Sequence, residues 1–215
     1  MNLTLLSWDQ GSQRRRAMQI DLSKLRAALE NAPEQSSDFD LNPALKGGPA
    51  RALKPAAVLI GVWETPRGAK LILTKRASHL QHHPGQIAFP GGKADEKDAD
   101  IEATALREAQ EEIGLPSGLV QILGRLPKHE TMTGFSITPV LGHIPTQFDA
   151  TPQLGEVDEV FSIPLGHVLD LANYGVERRL WRGDWRYFYA VPYGPYYIWG
   201  ATARILRGLA ERMKG

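Results

Sequence analysis

The residues best suited to chemistry are three glutamates on one segment: Glu108, Glu111 and Glu112. At about 100° per residue, their side chains fall within roughly a third of a turn of one another on a helix. Leu106, Ala109 and Ile113 fall on a different face, which predicts an acidic side and a core side. Carboxylate oxygens suit a hard divalent cation, Mg²⁺ or Mn²⁺, which also takes water and phosphate oxygens as ligands. The pattern favours metal-assisted chemistry on a phosphate, with a solvated acidic helix as the alternative.

The residues around this segment strengthen the metal interpretation. Gly91 and Gly92 lack side chains, so their backbone can approach a ligand closely. Arg107 precedes the first glutamate and can hold acidic side chains in place by bidentate hydrogen bonds. We therefore expect the two glycines and the arginine to belong to the same site as the glutamates.

From Arg107 to Leu115 the sequence reads REAQEEIGL, which resembles the second half of the Nudix box. The first half departs from the family pattern. Asp98 stands six residues after Gly92, where the family has Glu, and eight residues instead of seven separate it from Arg107. The resemblance therefore carries the later acidic positions over to this chain and leaves Asp98 as a loop or helix-start residue with an open supporting role.

This resemblance implies an α/β (α+β) fold, the Nudix-type α/β/α sandwich with a mixed sheet. It implies metal binding by three glutamates: Glu108, Glu111 and Glu112. Glu111 and Arg107 are the implied catalytic residues on this segment, and the implied reaction is hydrolysis of a diphosphate bond with Mg²⁺ or Mn²⁺. A further carboxylate often serves in this fold as a ligand or base, and Glu156 is the first candidate, with Glu159 second.

Residues 71–92, LILTKRASHLQHHPGQIAFPGG, resemble the signature of the coenzyme A pyrophosphatase subgroup. The matching positions are Ile72, Leu73, Thr74, Arg76, Ala77, Gly85, Phe89, Pro90, Gly91 and Gly92. Gln81 stands where that signature has a second Arg, which removes one charge-assisted contact to a phosphate. The implied substrate-binding residues are Lys75, Arg76, Gln81, Gly85, Phe89, Gly91 and Gly92. The candidates to compensate for the missing arginine are Lys75, Arg76, His79 and Lys93.

The subgroup resemblance implies cleavage of coenzyme A or its thioesters into 3′,5′-ADP and (acyl-)4′-phosphopantetheine. Two alternatives stay open. One is the same chemistry on another nucleotide, such as ADP-ribose, NADH, a dinucleotide or an oxidised nucleotide. The other is a Nudix module that senses a nucleotide without cutting it, although such a module would usually have lost glutamates that are present here.

The histidines and aromatics near these motifs have structural explanations as well as functional ones. His82 and His83 form a His-His-Pro loop, for which a structural or solvent-facing role is favoured over metal binding. The aromatic residues late in the chain are expected to be mainly core, with nucleotide stacking or a dimer contact as alternatives. They are Tyr187, Phe188, Tyr189, Tyr196, Tyr197 and Trp199.

The periodicity of the chain predicts the elements that position these residues. Residues 21–31 are predicted to form a helix, and residues 32–54 a linker or wrapping arm. Two strands joined at TPRG come next, followed by a strand, loop and helix unit whose helix is predicted from about residue 100 to 113 and stops at Gly114. A closing amphipathic helix completes the chain. We expect an N-terminal helix and arm at 1–52 packing on a Nudix hydrolase domain at 53–215.

Composition limits the partners. The chain has 25 Lys and Arg against 24 Asp and Glu, so it lacks the overall positive field that nucleic acid or an anionic membrane requires. With no cysteine, it has no disulfide or thiolate zinc site. We expect a cytoplasmic protein that binds a small nucleotide of the coenzyme A class and no nucleic acid or membrane. Homodimer formation is left open.

Overall fold

A computed structural model of the protein describes residues 21–30, 35–46, 52–81, 83–181 and 183–214. The α-helices in these ranges are Leu22–Glu30 (α1), Ile101–Ile113 (α2), Leu165–Leu169 (α3) and Ala201–Lys214 (α4). The strands are Ser36–Ser37 (β1), Lys54–Thr65 (β2), Gly68–Arg76 (β3), Ile87–Ala88 (β4), Gly91–Lys93 (β5), Gln121–Arg125 (β6), His129–Glu130 (β7), Phe135–Ile144 (β8), Val157–Pro164 (β9), Gly175–Trp181 (β10) and Asp184–Ala190 (β11).

Most of these strands form one mixed sheet around the long strands β2, β3 and β8. The sheet runs in the order β1-β7-β8-β2-β3-β4, and β5, β6 and β9 pair with β2, β8 and β3 respectively. β2 and β8 are parallel along ten residue pairs, whereas β2 and β3 form the antiparallel pair predicted across the TPRG turn. The sheet is therefore mixed, as the resemblance implied.

Helices cover both faces of the sheet because successive residues of β2 point to opposite sides. Leu59 packs with Ala109 and Ile113 of α2 on one side. Ile60, the next residue, packs with Leu206 of α4 and with the buried face of α1 on the other side. Two apolar layers enclose the sheet, which confirms the α/β/α sandwich and the α+β fold class.

Helix α2 begins and ends where the sequence predicts. The Asp100 carboxylate caps its first turn by accepting the N–H of Ala103 at 2.8 Å. Gly114 ends the helix in the left-handed conformation at φ 67°, and its N–H bonds to the last carbonyls. The predicted faces were wrong at two positions: Leu106, expected in the core, is partly exposed, and Glu112, expected on the acidic face, is buried.

The described part of the N-terminal region packs on the sheet. Helix α1 is capped by Asp21 and buries Leu25 and Ala28 in the same apolar layer as α4. Within the expected arm, β1 adds in parallel to β7, the pairing of 36–37 with 129–130. Asn31, at the predicted end of the helix, lies outside the described residues. The division into 1–52 and 53–215 stays a prediction.

A hairpin that the sequence did not clearly indicate stands apart from the main sheet. β10 and β11 pair with each other in antiparallel register from Gly175 and Ala190 to Trp181 and Asp184. The second of these strands contains the first three of the aromatic residues, Tyr187, Phe188 and Tyr189. Across the described residues, none of the helices is long and apolar enough to cross a membrane.

Candidate active site

Arg107 is the centre of a hydrogen-bonded network that joins helix α2 to the loop before it. Its Nε and Nη2 donate to the two carboxylate oxygens of Asp98 at 2.8 and 3.0 Å. Asp98 also accepts from the Thr104 hydroxyl at 2.8 Å, and these donors hold the pKa of its carboxyl well below the ordinary value. The bidentate partner of Arg107 is therefore Asp98, not the glutamates for which bidentate bonds were expected.

The remaining donors of Arg107 order the glutamates. Nη1 donates to Glu108 Oε1 and to Glu111 Oε2, each at 2.9 Å, and Nη2 also donates to the carbonyl of Lys93 at 3.1 Å. Burial raises the pKa of Glu108, although the charge of Arg107 opposes that rise. Glu111 is more open, with about half of its side chain exposed. Arg107 thus connects the loop after β5 to two of the three predicted metal ligands.

Glu112 occupies a different environment, pointing into the protein. The residue is only 3% exposed, and its Oε2 accepts the N–H of Gly91 at 3.1 Å. Burial raises the pKa of Glu112 to about 7, more than the Gly91 N–H and the charge of Arg76 at 3.9 Å lower it. A carboxylate whose ionised form is destabilised to this extent by burial is typical of a functional site.

The acidic side chains are close enough to influence one another, yet they do not enclose a metal by themselves. The charge of Glu156 contributes to the raised pKa of both Glu108 and Glu112. Among the residues that the structure describes, no three acidic or histidine side chains are arranged to hold a metal ion as they stand. Arg107 lies within hydrogen-bonding distance of Glu108 and Glu111 instead. The predicted ligands are thus close to one another, but their carboxylates do not converge on one position for a metal ion.

Glu156 immediately precedes β9, and Glu159 is the third residue of that strand. Glu156 is exposed, and its carbonyl accepts the N–H of Ala77 at 2.8 Å, which ties the loop to the end of β3. Glu159 lies opposite Lys75 in the β3 and β9 register, and its carboxylate accepts the Tyr196 hydroxyl at 2.6 Å. The charge of Glu156 therefore acts on two of the helix glutamates, whereas Glu159 belongs to the wall of the adjoining cavity.

The two glycines of β5 are required by these contacts. At Gly91, where φ is 155°, an added Cβ would lie 2.4 Å from the carbonyl oxygen of Ala57. At Gly92, an added Cβ would lie 2.5 Å from the carboxyl carbon of Glu108. A side chain at the first position collides with backbone, and one at the second displaces a carboxylate that can move.

We therefore expect Gly92→Ala to fold but to lose activity. The displaced Glu108 carboxylate would break its contact with Arg107, and loss of such a supporting contact typically costs about 10- to 100-fold in activity or metal affinity. Steady-state turnover and thermal unfolding of the variant check this. Gly166→Ala is the matched control, because a Cβ there meets nothing within 4 Å. Equal activity of the two variants would show that Glu108 needs no fixed position.

A cavity of about 1080 Å³ lies next to the glutamates. Five of the residues expected to bind substrate line it: Lys75, Arg76, Gln81, Gly85 and Phe89. Gly91 and Gly92 are not among its lining residues and lie against the glutamates instead. Arg76 joins the two regions, since it lines the cavity and approaches Glu112 to 3.9 Å. The upstream motif and the acidic helix therefore border one continuous site.

The aromatic residues were expected to be mainly core, and that expectation holds only in part, since Tyr189 and Tyr196 pack against the apolar core while partly exposed. None of the six is buried, and all of them line the cavity: Tyr187, Phe188, Tyr189, Tyr196, Tyr197 and Trp199. They lie on β11 and on the segment before α4, which together form the wall facing the upstream motif. His83 also lines the cavity, with a left-handed backbone at φ 57°, while His82 lies outside the described residues.

The cavity also contains basic residues that the sequence did not point to. They are Arg179 and Arg186 on the hairpin and Arg204 on α4. His79 and Lys93, considered as replacements for the missing second arginine of the upstream motif, are not among the lining residues. In the described chain, Lys75 and Arg76 are the predicted cations that do line it.

Comparison with known proteins identifies the class to which this site belongs. A family model described as the NUDIX domain matches residues 53–180, more than half of the 215 residues. The chain belongs to the Nudix family. The matched range includes the glutamate helix, the upstream motif and Glu156.

Two relatives are described as uncharacterized Nudix hydrolase NudL, from Salmonella newport (strain SL254) and Salmonella heidelberg (strain SL476). Each is 45% identical to this chain over 157 residues, which cover 73% of this chain and 81% of the relative. Among solved structures, RenU, a Nudix hydrolase from M. smegmatis, aligns with a TM-score of 0.47 and 22% identity. That alignment covers 56% of this chain and 83% of RenU.

Proposed function

We propose that this protein hydrolyses the diphosphate bond of coenzyme A or its thioesters with the help of Mg²⁺ or Mn²⁺. The observation that carries the proposal is the buried, charge-destabilised Glu112 beside a large cavity whose near wall presents Lys75 and Arg76. The acidic groups can bind a metal cation, and the basic groups beside them can bind phosphate oxygens. Together they fit a diphosphate that carries a bound metal ion.

The residues present fit a divalent cation. Burial raises the pKa of Glu108 and Glu112, and neighbouring carboxylates raise both further, so added positive charge would favour their ionised forms. Mg²⁺ usually takes one or two carboxylates and completes its shell with water and substrate phosphate. We assign Glu108, Glu111 and Glu112 as the residues that would hold it, with Arg107 and Asp98 positioning the first two.

The proposed reaction adds water across the diphosphate. The metal, when bound, would neutralise charge on the phosphate oxygens and lower the pKa of an attacking water. Glu156 takes the proton from that water as its oxygen bonds to one phosphorus, and the bridging P–O bond breaks to release two phosphate monoesters. Lys75 and Arg76 hold the diphosphate by charge-assisted hydrogen bonds and oppose the charge that collects on the leaving phosphate.

The size and lining of the cavity support a substrate larger than a nucleoside diphosphate alone. Its volume of about 1080 Å³ lies at the upper end of the range of roughly 300–1,000 Å³ common for small-molecule pockets. Aromatic side chains on its far wall offer ring faces to a purine, and the wall near Phe89 is apolar. Coenzyme A, with an adenine, a diphosphate and a long pantetheine arm, suits that combination.

A substrate panel tests the proposal. The purified protein is incubated with Mg²⁺ or Mn²⁺ and coenzyme A, an acyl-coenzyme A, ADP-ribose, NADH, a diadenosine polyphosphate or a nucleoside triphosphate, and the products are separated and weighed. We expect metal-dependent release of 3′,5′-ADP and 4′-phosphopantetheine from coenzyme A, with slower turnover of the others. Preferred cleavage of another member reassigns the substrate, and cleavage of none favours a nucleotide-sensing module.

A further inference from the structure

The β10–β11 hairpin carries two arginines that the proposed cleavage chemistry does not use. Arg179 and Arg186 are Cα partners in the antiparallel register, so their side chains leave the hairpin on the same face. Both line the cavity. Like charges directly opposite each other on neighbouring strands are destabilising. The pair therefore weakens the hairpin unless an anion lies against it.

Within the described part of the chain, no carboxylate forms an ion pair with either arginine. Arg186 Nη1 donates to the Met132 sulfur at 3.2 Å, which is a weak acceptor, and its Nε is buried without a hydrogen-bond partner. The guanidinium also lies over the Trp181 ring at 5.5 Å. The described residues around this guanidinium thus pack against it but supply no negative charge to balance it.

The acids that share the cavity already have partners. Asp38 accepts the Met132 N–H at 2.9 Å, and Asp40 accepts from Arg204 Nε at 2.7 Å. Glu159 is bonded to a tyrosine hydroxyl. Five Lys and Arg residues and three Asp and Glu residues line the cavity: Lys75, Arg76, Arg179, Arg186 and Arg204, with Asp38, Asp40 and Glu159. The positive charges of Arg179 and Arg186 on the hairpin are therefore available to bind an anionic ligand.

The N-terminal arm fixes the position of this wall. Asn42, 6% exposed, donates to the carbonyl of Tyr187 at 2.8 Å and accepts the N–H of Tyr187 at 2.8 Å. The same amide also donates to the carbonyl of Asp38 at 3.0 Å. A buried side chain that satisfies both backbone groups of one strand residue holds the strand in register. Arg186, the preceding residue, is thereby held at the cavity edge.

We propose that Arg179 and Arg186 form a subsite for a phosphomonoester of the substrate, separate from the diphosphate that is cut. This inference rests on the proposed function. A dianionic phosphate accepts bidentate hydrogen bonds from guanidinium groups. In coenzyme A the group of this chemistry is the 3′-phosphate of the ribose. Trp181 and Phe188, on the same face of the hairpin, offer apolar surface to the nucleoside beside it.

The test uses the wild type and the double variant that carries both Arg179→Gln and Arg186→Gln. Cleavage is compared between coenzyme A and 3′-dephospho-coenzyme A, and binding is compared between 3′,5′-ADP and 5′-AMP. Wild type is expected to prefer the phosphorylated member of each pair. In the double variant, kcat/KM for coenzyme A and affinity for 3′,5′-ADP should each fall roughly 10- to 100-fold, as loss of charge-assisted hydrogen bonds implies. The ratio of the two kcat/KM values and the ratio of the two affinities should then both approach one.

Arg178→Gln is the matched control, because Arg178 lies on the same strand but packs over Trp185 at 4.5 Å and does not line the cavity. It should keep both preferences. Coenzyme A cleavage without any preference for the 3′-phosphate would overturn the subsite and leave the proposed reaction standing. A binding preference lost only in the double variant, without cleavage of coenzyme A, would support the subsite and rule against the reaction. Loss of preference in the control would also overturn the subsite.

Discussion

Glu112→Gln is expected to abolish most turnover while making the metal-free protein more stable near pH 8. Glutamine keeps an oxygen for the Gly91 N–H but cannot carry the negative charge that a metal requires. Loss of several kcal/mol of transition-state charge stabilisation corresponds to a fall in kcat on the order of 100- to 1,000-fold. Steady-state assays measure the first effect and chelator-treated thermal unfolding measures the second.

The stability gain follows from the pKa of Glu112, which rises from 4.5 in the unfolded chain to about 7 in the fold. A raised pKa means that the folded state binds this proton more tightly. Its favourable contribution is complete below about pH 4.5 and is lost as the pH rises through about 7. At about pH 8 the ionised carboxylate then costs roughly 3 kcal/mol, which the glutamine variant avoids. At about pH 4 the two proteins should unfold alike.

Glu102→Gln is the control for the stability measurement, because Glu102 lies on the same helix in a partly exposed pair with Arg125. Such pairs contribute about 0–1 kcal/mol, so its effect should be small at both pH values. Mn²⁺ should raise the unfolding temperature of the wild type and not that of Glu112→Gln. Full activity in Glu112→Gln, or lower stability than the wild type at pH 8, would contradict the role given to this residue.

Glu156→Gln is expected to lower kcat by about 100- to 10,000-fold with little change in substrate affinity. A positioned general base contributes a factor of this size, and glutamine cannot accept the proton. Glu156 is exposed, so the substitution opens no cavity and should leave the unfolding temperature close to that of the wild type. Single-turnover kinetics at saturating substrate separate the chemical step from binding.

Glu159→Gln is the matched comparison for this base. Its replacement keeps an acceptor for the Tyr196 hydroxyl, and the residue lies on the cavity wall away from the charge-coupled glutamates. We expect it to change KM more than kcat. A large loss of kcat in Glu159→Gln together with normal turnover in Glu156→Gln would exchange the two assignments.

The parts of the fold that depend on local sequence were the parts that could be predicted. The bounds of α2 follow from Asp100 at its cap and Gly114 at its end, both of which act within one turn. The strands β2 and β3 are marked by branched apolar residues on either side of a short turn. These signals are written within a few residues of the elements that they determine.

The environment of each site residue depends on distant contacts, and there prediction was weaker. Helical periodicity placed Glu112 on an acidic face, but its burial comes from β5, where a glycine N–H meets its carboxylate. Asp98 departs from the family pattern, yet the loop length brings it onto Arg107, nine residues along the chain. Neither contact follows from residue spacing alone.

The hairpin wall is the largest feature that sequence reasoning missed. A local signal was present, since the segments on either side of Gly183, GVERRLW and DWRYFYA, are rich in branched and aromatic residues. That composition could have indicated two strands joined at a turn. What it could not indicate is that one face of the hairpin lines the cavity, because that depends on Asn42 binding the backbone of Tyr187.

The most direct test of the central claim, metal-dependent diphosphate cleavage at the α2 glutamates, is hydrolysis of coenzyme A in oxygen-18 water. Wild type and Glu112→Gln are compared with and without Mg²⁺, and the products are weighed. We predict that the wild type, with metal only, releases 3′,5′-ADP and 4′-phosphopantetheine, and that one of them carries a single heavy oxygen. The variant should release almost none. Metal-independent cleavage, or equal cleavage by the variant, would contradict the account.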